Sequence, residues 1–139
     1  MSSVWNQVNQ HIGEVIKQYK NIAVVGLSPK PFKASHGVAF YLQQVGYNII
    51  PVNPNYDEIL GQVCYPSLKE APDTIEVVDI FRRAEDVPPI VEEAIAIGAK
   101  AVWLQSGIIN EQAAQNALDA GLKVMMDVCM KVEHMRHAF

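Results

Sequence analysis

Cysteine is scarce. Cys64 and Cys129 stand far apart and outside any C-x-x-C pair, so neither a disulfide framework nor a thiolate metal site of that kind is expected, and buried thiols are the simpler reading. No apolar run reaches the roughly 18 residues that would span a bilayer, and the opening MSSVWNQVNQ lacks a basic stretch followed by an apolar one. A protein of the cytoplasm, with no membrane partner, is expected. A basic surplus is also lacking: the net charge of −4 argues against a nucleic-acid binder. Linkers and low-complexity segments are absent, so residues 1–139 are expected to form a single domain. No Ser-His-Asp order, nucleophile elbow or P-loop occurs, which leaves catalysis without residue-level support. One local absence points the other way. Between Glu14 and Asp57 there is no acidic residue, while Lys17, Lys20, Lys30 and Lys33 all fall there, a stretch suited to attract a small anion.

What is present is an alternation of two patterns. Apolar residues at helical spacing from Val4 to Tyr19 predict an amphipathic leading helix. NIAVVG (Asn21–Gly26) is a short β-branched run without polar alternation, as expected of a strand covered on both faces. Ser35 is placed to cap a helix that ends before Gly46, and YNIIPV (Tyr47–Val52) reads as a second strand. The grammar then repeats. IEVVDIF (Ile75–Phe81) is a strand, Asp86-Val-Pro-Pro opens a helix to Ile97, AKAVWL (Ala99–Leu104) is a strand, Asn110 caps a helix to Ala120, and LKVMMD (Leu122–Asp127) is the fifth strand. The fold class predicted is α/β: a doubly wound, Rossmann-type, five-stranded parallel sheet with helices on both faces and strand order 3-2-1-4-5.

In such sheets ligands sit outside the carboxyl ends of the strands, where the strand order reverses, here between the first and fourth places. The loops so selected are GLSPKPFKASHG (26–37), NPNY (53–56), FRRAED after Ile80, QSGI (105–108) and the stretch after Asp127. The first combines a glycine at the strand end, two lysines, hydroxyl donors and a helix N-terminus, a set that suits phosphate. Gly26 lets the backbone turn close to the ligand. The spacing departs from G-x-G-x-x-G, because Ser28 stands at the second glycine's place and Pro29 follows. The second loop carries Asn53 and Asn55 where a dinucleotide site would have an acidic ribose anchor, which disfavours NAD. Arg82 offers a cation to the same rim, and Arg83 is expected in solvent. Near the C-terminus, Asp127, Cys129, Glu133, His134 and His137 crowd together without a ligand spacing of known kind, and no metal is expected.

The strings GLSPKPFKASHGVAFYLQQVGYNIIPVNPNYDEILG, VVDIFRRAEDVP, WLQSGI and DVCMKVEH, in this order, resemble the small bacterial and archaeal CoA-binding proteins, themselves similar to the nucleotide-binding domain of the succinyl-CoA synthetase alpha subunit. The resemblance runs from about Asn21 to His134. It implies coenzyme A or an acyl-CoA as the ligand, with Gly26, Ser28, Pro29, Lys33 and Ser35 around its phosphates and Asn53 and Pro54 on the adjoining wall. It places Ile80, Phe81 and Arg82 beside the adenosine or pantetheine arm, and Gln105 and Gly107 along the arm's path to its thiol. Lys33 departs from the arginine frequent in the family, keeping the charge and losing the bidentate fork.

The expectation is a CoA-binding module without chemistry of its own, monomeric or weakly dimeric, with an unknown protein partner left open. The alternatives are a small NAD(P)-dependent oxidoreductase, or the CoA-binding half of an acyl-CoA ligase whose catalytic domain is another chain.

Overall fold

The computed structural model describes residues 3–137. Five parallel strands form its centre: β1 (Asn21–Val25), β2 (Asn48–Val52), β5 (Val77–Ile80), β6 (Ala101–Leu104) and β7 (Lys123–Met126), in the order β2-β1-β5-β6-β7. A small antiparallel hairpin, β3 (Glu58–Ile59) and β4 (Gln62–Val63), follows β2. The helices are α1 (Ile12–Gln18), α2 (Ala34–Gln44), α3 (Val87–Ala96), α4 (Glu111–Asp119) and α5 (Met130–His137).

The sheet is covered on both faces, which explains strands read as unbroken apolar runs. Along β1, Ile22 and Val24 face α1, α2 and α5, joining Val15, Ile16, Val38, Leu42 and Met130 in one core. Ala23 and Val25 face the other way, into a core with Val87, Val91 and Ala94 of α3 and Ala113, Ala114 and Ala117 of α4. Each strand residue is thus assigned to a layer by the two-residue period alone.

The doubly wound architecture is as the sequence predicts, and the 3-2-1-4-5 order is present in relabelled form. The third place, outside β2, is filled by a single parallel bridge at Tyr65, whose N–H donates to Pro51 O (3.0 Å) and whose carbonyl accepts from Asn53 N–H (2.9 Å). The strand Val77–Ile80 takes the fourth place, directly beside β1, with Ile22 opposite Val77 and Val25 opposite Ile80. A one-residue bridge leaves no apolar run to read, so the sequence pattern offers the third place to the next visible strand. Pro51 fits this edge: its missing N–H lies on the side where only Tyr65 pairs.

The leading helix is the second difference. Val4–Asn6 is a short 3-10 turn, and α1 begins only at Ile12. Asn9, at φ 63°, breaks the run. Its backbone N–H donates to Val124 O (2.9 Å), its Nδ2 donates to Met126 O (3.1 Å), and its Oδ1 accepts from Met126 N–H (2.8 Å). One asparagine thereby closes the exposed edge of β7, and those three bonds outweigh continuing a helix there. Among the described residues no helix is long and apolar enough to cross a membrane.

Candidate functional site

The strand order reverses between β1 and β5, and the loops leaving these two strands touch at their base. Gly26 sits at φ 85° and donates its N–H to Val52 O (2.9 Å). A Cβ there would run into the Phe81 carbonyl oxygen and come within 2.8 Å of Arg82 Cδ. The glycine is therefore demanded by the crossing of two protein loops and by its left-handed backbone, rather than by a ligand alone. Above this crossing the loops diverge into a cleft of about 590 Å³, within the usual size of ligand sites. Ser28, Lys33, Ala34 and Ser35 line one wall, Phe81, Arg82, Arg83 and Asp86 the other, and Ile108 also lines the cleft.

The first wall is the start of α2. Lys33 is its N-cap and makes no side-chain cap, and the first turn carries no acidic residue. The amides of Ala34 and Ser35 belong to the opening positions that have no acceptor within their own helix. Ser35, expected to cap, lies instead inside the first turn, buried, with its Oγ accepting from Ser28 N–H at 3.0 Å. Ser28 Oγ in turn accepts from Lys30 N–H at 3.1 Å. The two hydroxyls shape the loop and leave the helix amides open to an anion. Lys33 Nζ lies 5.8 Å from the ring centre of Phe32, which is 80 % exposed.

The second wall supplies the cations. Arg82 Nη2 and Arg83 Nε both reach Asp86 Oδ2, at 3.3 and 3.4 Å. Arg83 also meets Glu85 at 3.4 Å and is largely solvated, as expected, while still forming the cleft rim. Arg82 lines two further cavities: one of about 310 Å³ with Gly26, Asn53, Pro54 and Asn55, and one of about 160 Å³ with Val25, Val52, Pro54 and Ile90. Asn53 also clips the two loops together, donating from Nδ2 to Leu27 O (3.1 Å) and accepting from Asn55 N–H (3.0 Å).

The remaining sequence candidates lie elsewhere. Pro29 stays in the first loop without lining the cleft. Ile80 is fully buried toward α3 and α4. Gln105 is buried, its Nε2 donating to Asp79 Oδ1 and its Oε1 accepting from Met130 N–H at 3.4 Å. Gly107, at φ 85°, donates its N–H to Asp127 Oδ1 at 2.7 Å. Asp79 itself lies wholly inside the sheet, its Oδ2 without a partner, and burial pushes its carboxyl up to about 7, against the opposing bond from Gln105. His134 Nδ1 pairs with Tyr41 Oη (2.7 Å), and burial, then Lys20, holds its imidazole below the usual value. Glu133 pairs with Arg136 and His137, each at 3.2 Å. Among the described residues no three His, Cys, Asp or Glu side chains converge to hold a metal ion.

Four residues of the cleft were not among the predicted site residues: Ala34, Asp86, Ile108 and Arg83, the last expected in solvent. Asp86 had a signal, since it stands four residues after Arg82 and just before Val-Pro-Pro.

The family described as "CoA binding domain" matches residues 20–135. The protein YneT of Bacillus subtilis is 44 % identical over 129 residues, covering 93 % of this chain and 96 % of that one. A solved hypothetical protein from Pyrococcus horikoshii superposes with a TM-score of 0.91 at 42 % identity, covering 100 % of this chain and 98 % of its own. The ADP-forming acetate–CoA ligase II of Archaeoglobus fulgidus is 34 % identical over 100 residues, 70 % of this chain and 15 % of that enzyme.

Proposed function

Since the chain belongs to the CoA binding domain family, we propose that it binds coenzyme A or an acyl-CoA in the crevice between β1 and β5. The observation that carries this reading is the convergence, on one cleft, of the uncapped start of α2 with Lys33, Arg82 and Arg83. Phosphate is the group such a wall selects, because free amides, a helix dipole and guanidinium groups all act on negative charge. Gly26, Ser28 and Ser35 hold the loop that presents them, and Phe81 gives the cleft an apolar face. Asn53 and Pro54 form the adjoining wall, open to the nucleoside portion through the cavity that Arg82 shares. Ile80, Gln105 and Gly107 enter as supports: Ile80 anchors the loop that starts with Phe81, and the other two fix the turn that carries Ile108 to the cleft. The similarity to an acetate–CoA ligase supports CoA as the guest, and its 15 % span of that enzyme brings no catalytic step with it.

Calorimetry with CoA, dephospho-CoA and NAD at one salt concentration tests the proposal, and native mass spectrometry of freshly purified protein identifies any retained species. CoA is expected to bind more tightly than NAD. Equal or tighter NAD binding overturns the reading.

A further inference from the structure

One anion already occupies the cationic wall of the cleft: the carboxylate of Asp86. Its placement follows from the sequence FRRAEDVPP. Asp86 is the N-cap of α3, a position where an aspartate ordinarily accepts N–H bonds from the second and third helical residues. Those residues are Pro88 and Pro89, which have no N–H to give, and Asp86 makes no cap bond. The carboxylate is left to the two arginines, with Oδ2 at 3.3 Å from Arg82 Nη2 and 3.4 Å from Arg83 Nε, and Asp86 lines the cleft on the wall opposite Ser28 and Lys33. The Cδ of Arg82 passes close to Gly26, and Arg82, its side chain 43 % exposed, lines three adjoining cavities, so there is open space for its head group to leave Asp86.

We infer that Asp86 is a built-in competitor for the arginine wall, so that a ligand must bring enough negative charge to take Arg82 from it. The inference deepens the CoA reading and rests on it for the identity of the natural guest, although its physics concerns any phosphate. A pyrophosphate displaces one carboxylate readily because it offers more charge and more acceptor oxygens than the group it replaces. A single phosphate gains much less from the exchange. Asp86 thereby acts as a specificity-determining residue that favours polyphosphorylated ligands over those with a single phosphate.

The test compares the full chain with Asp86→Asn, titrating CoA, inorganic pyrophosphate and inorganic phosphate at low, matched salt, because exposed pairs are screened. Asp86→Asn is expected to tighten CoA and pyrophosphate by roughly two- to fivefold, the range of an exposed ion pair, and to raise phosphate affinity by a larger factor, so that discrimination narrows. Arg82→Met should cancel the gain, with the double variant binding as Arg82→Met alone. Unchanged or weaker binding in Asp86→Asn overturns the inference, since the carboxylate would then be a bystander or a ligand contact. A gain that survives Arg82→Met also overturns it, reducing the effect to overall charge. If CoA fails to bind both proteins while pyrophosphate shows the gain, the CoA reading falls and the competitor stands. If neither ligand binds either protein, both fall.

Discussion

The carboxyl ends of the five strands divide into two halves that handle polar groups in opposite ways. Over β6 and β7 they are tied to one another: buried Gln105 bridges Asp79 to the start of α5, Asp127 holds Gly107 N–H at the surface, and Trp103 Nε1 donates to Val128 O at 2.8 Å. Over β1 and β5 the start of α2 has no side-chain cap, and the arginines meet only exposed or half-exposed carboxylates. The cause is topological. β6 and β7 are consecutive strands joined by the crossover through α4, and the loop leaving β7 brings Met130 of α5 back onto Gln105 at the end of β6. β1 and β5 are neighbours whose following helices, α2 and α3, leave for opposite faces, which keeps the space above them open.

The largest effect that would break this contrast is expected at Gly26. In Gly26→Val the left-handed backbone and the collision with the Phe81 carbonyl act together, at a cost of about 4 kcal/mol or more. Against a total stability of about 5–15 kcal/mol, that threatens the fold itself and is expected to remove the proposed CoA binding with it. Thermal melting and calorimetry on the same preparation decide the matter. A variant that melts like the parent would show that the two loops do not meet at Gly26, and the open half would need a different base.

The closed half is probed by Asp79. Its carboxyl is raised to about 7 by burial, so the folded state holds a proton that the unfolded chain, with its ordinary carboxylate, releases near pH 4. The stability attached to that proton is complete below the unfolded value and is lost as pH rises through about 7. Asp79→Asn keeps an acceptor for Gln105 and removes the titration. It should match the parent near pH 4 and exceed it by roughly 2–4 kcal/mol at pH 8. Denaturant unfolding across that range is the measurement, and parallel pH curves for the two proteins would mean that Asp79 is ionised when buried.

How much of this was legible in the sequence varies with the range of the interaction. The five principal strands and α2, α3 and α4 follow from local apolar periods and glycine stops, and the loops that matter follow from the parallel topology. The place of Val77–Ile80 beside β1 was not legible, because the residue that fills the outer place, Tyr65, pairs through its backbone alone. The break at Asn9 was hidden likewise: its partners lie more than a hundred residues away in β7. Within the site, Ser28, Lys33, Ser35 and Arg82 could be chosen because charge and hydroxyl chemistry mark them, and Gly26 because it stands where the first strand must turn. Gln105 could not be separated from them, since its string carries no sign that both ends of its amide are engaged within the fold.

The smallest expected effect sharpens the contrast from the open side. Ser35 is a buried hydroxyl on a wall otherwise open to solvent, and its one hydrogen bond in the structure, from Ser28 N–H, draws the first loop against α2. Ser35→Ala removes the acceptor and leaves the Ser28 amide without its partner, which costs about 1 kcal/mol. In a domain of this size that amounts to a few degrees in Tm. CoA affinity should fall several-fold as well, because the loop that carries Ser28 and Lys33 loses its fixed distance from the α2 amides. The two readouts are expected to move together, since one bond serves both. A drop in Tm with affinity intact would mean that the phosphate is held by the helix and the arginines without help from the loop. A drop in affinity with Tm intact would instead place the Ser35 hydroxyl on the ligand, and the open half would then hold one more direct contact than its hydrogen bonds now suggest.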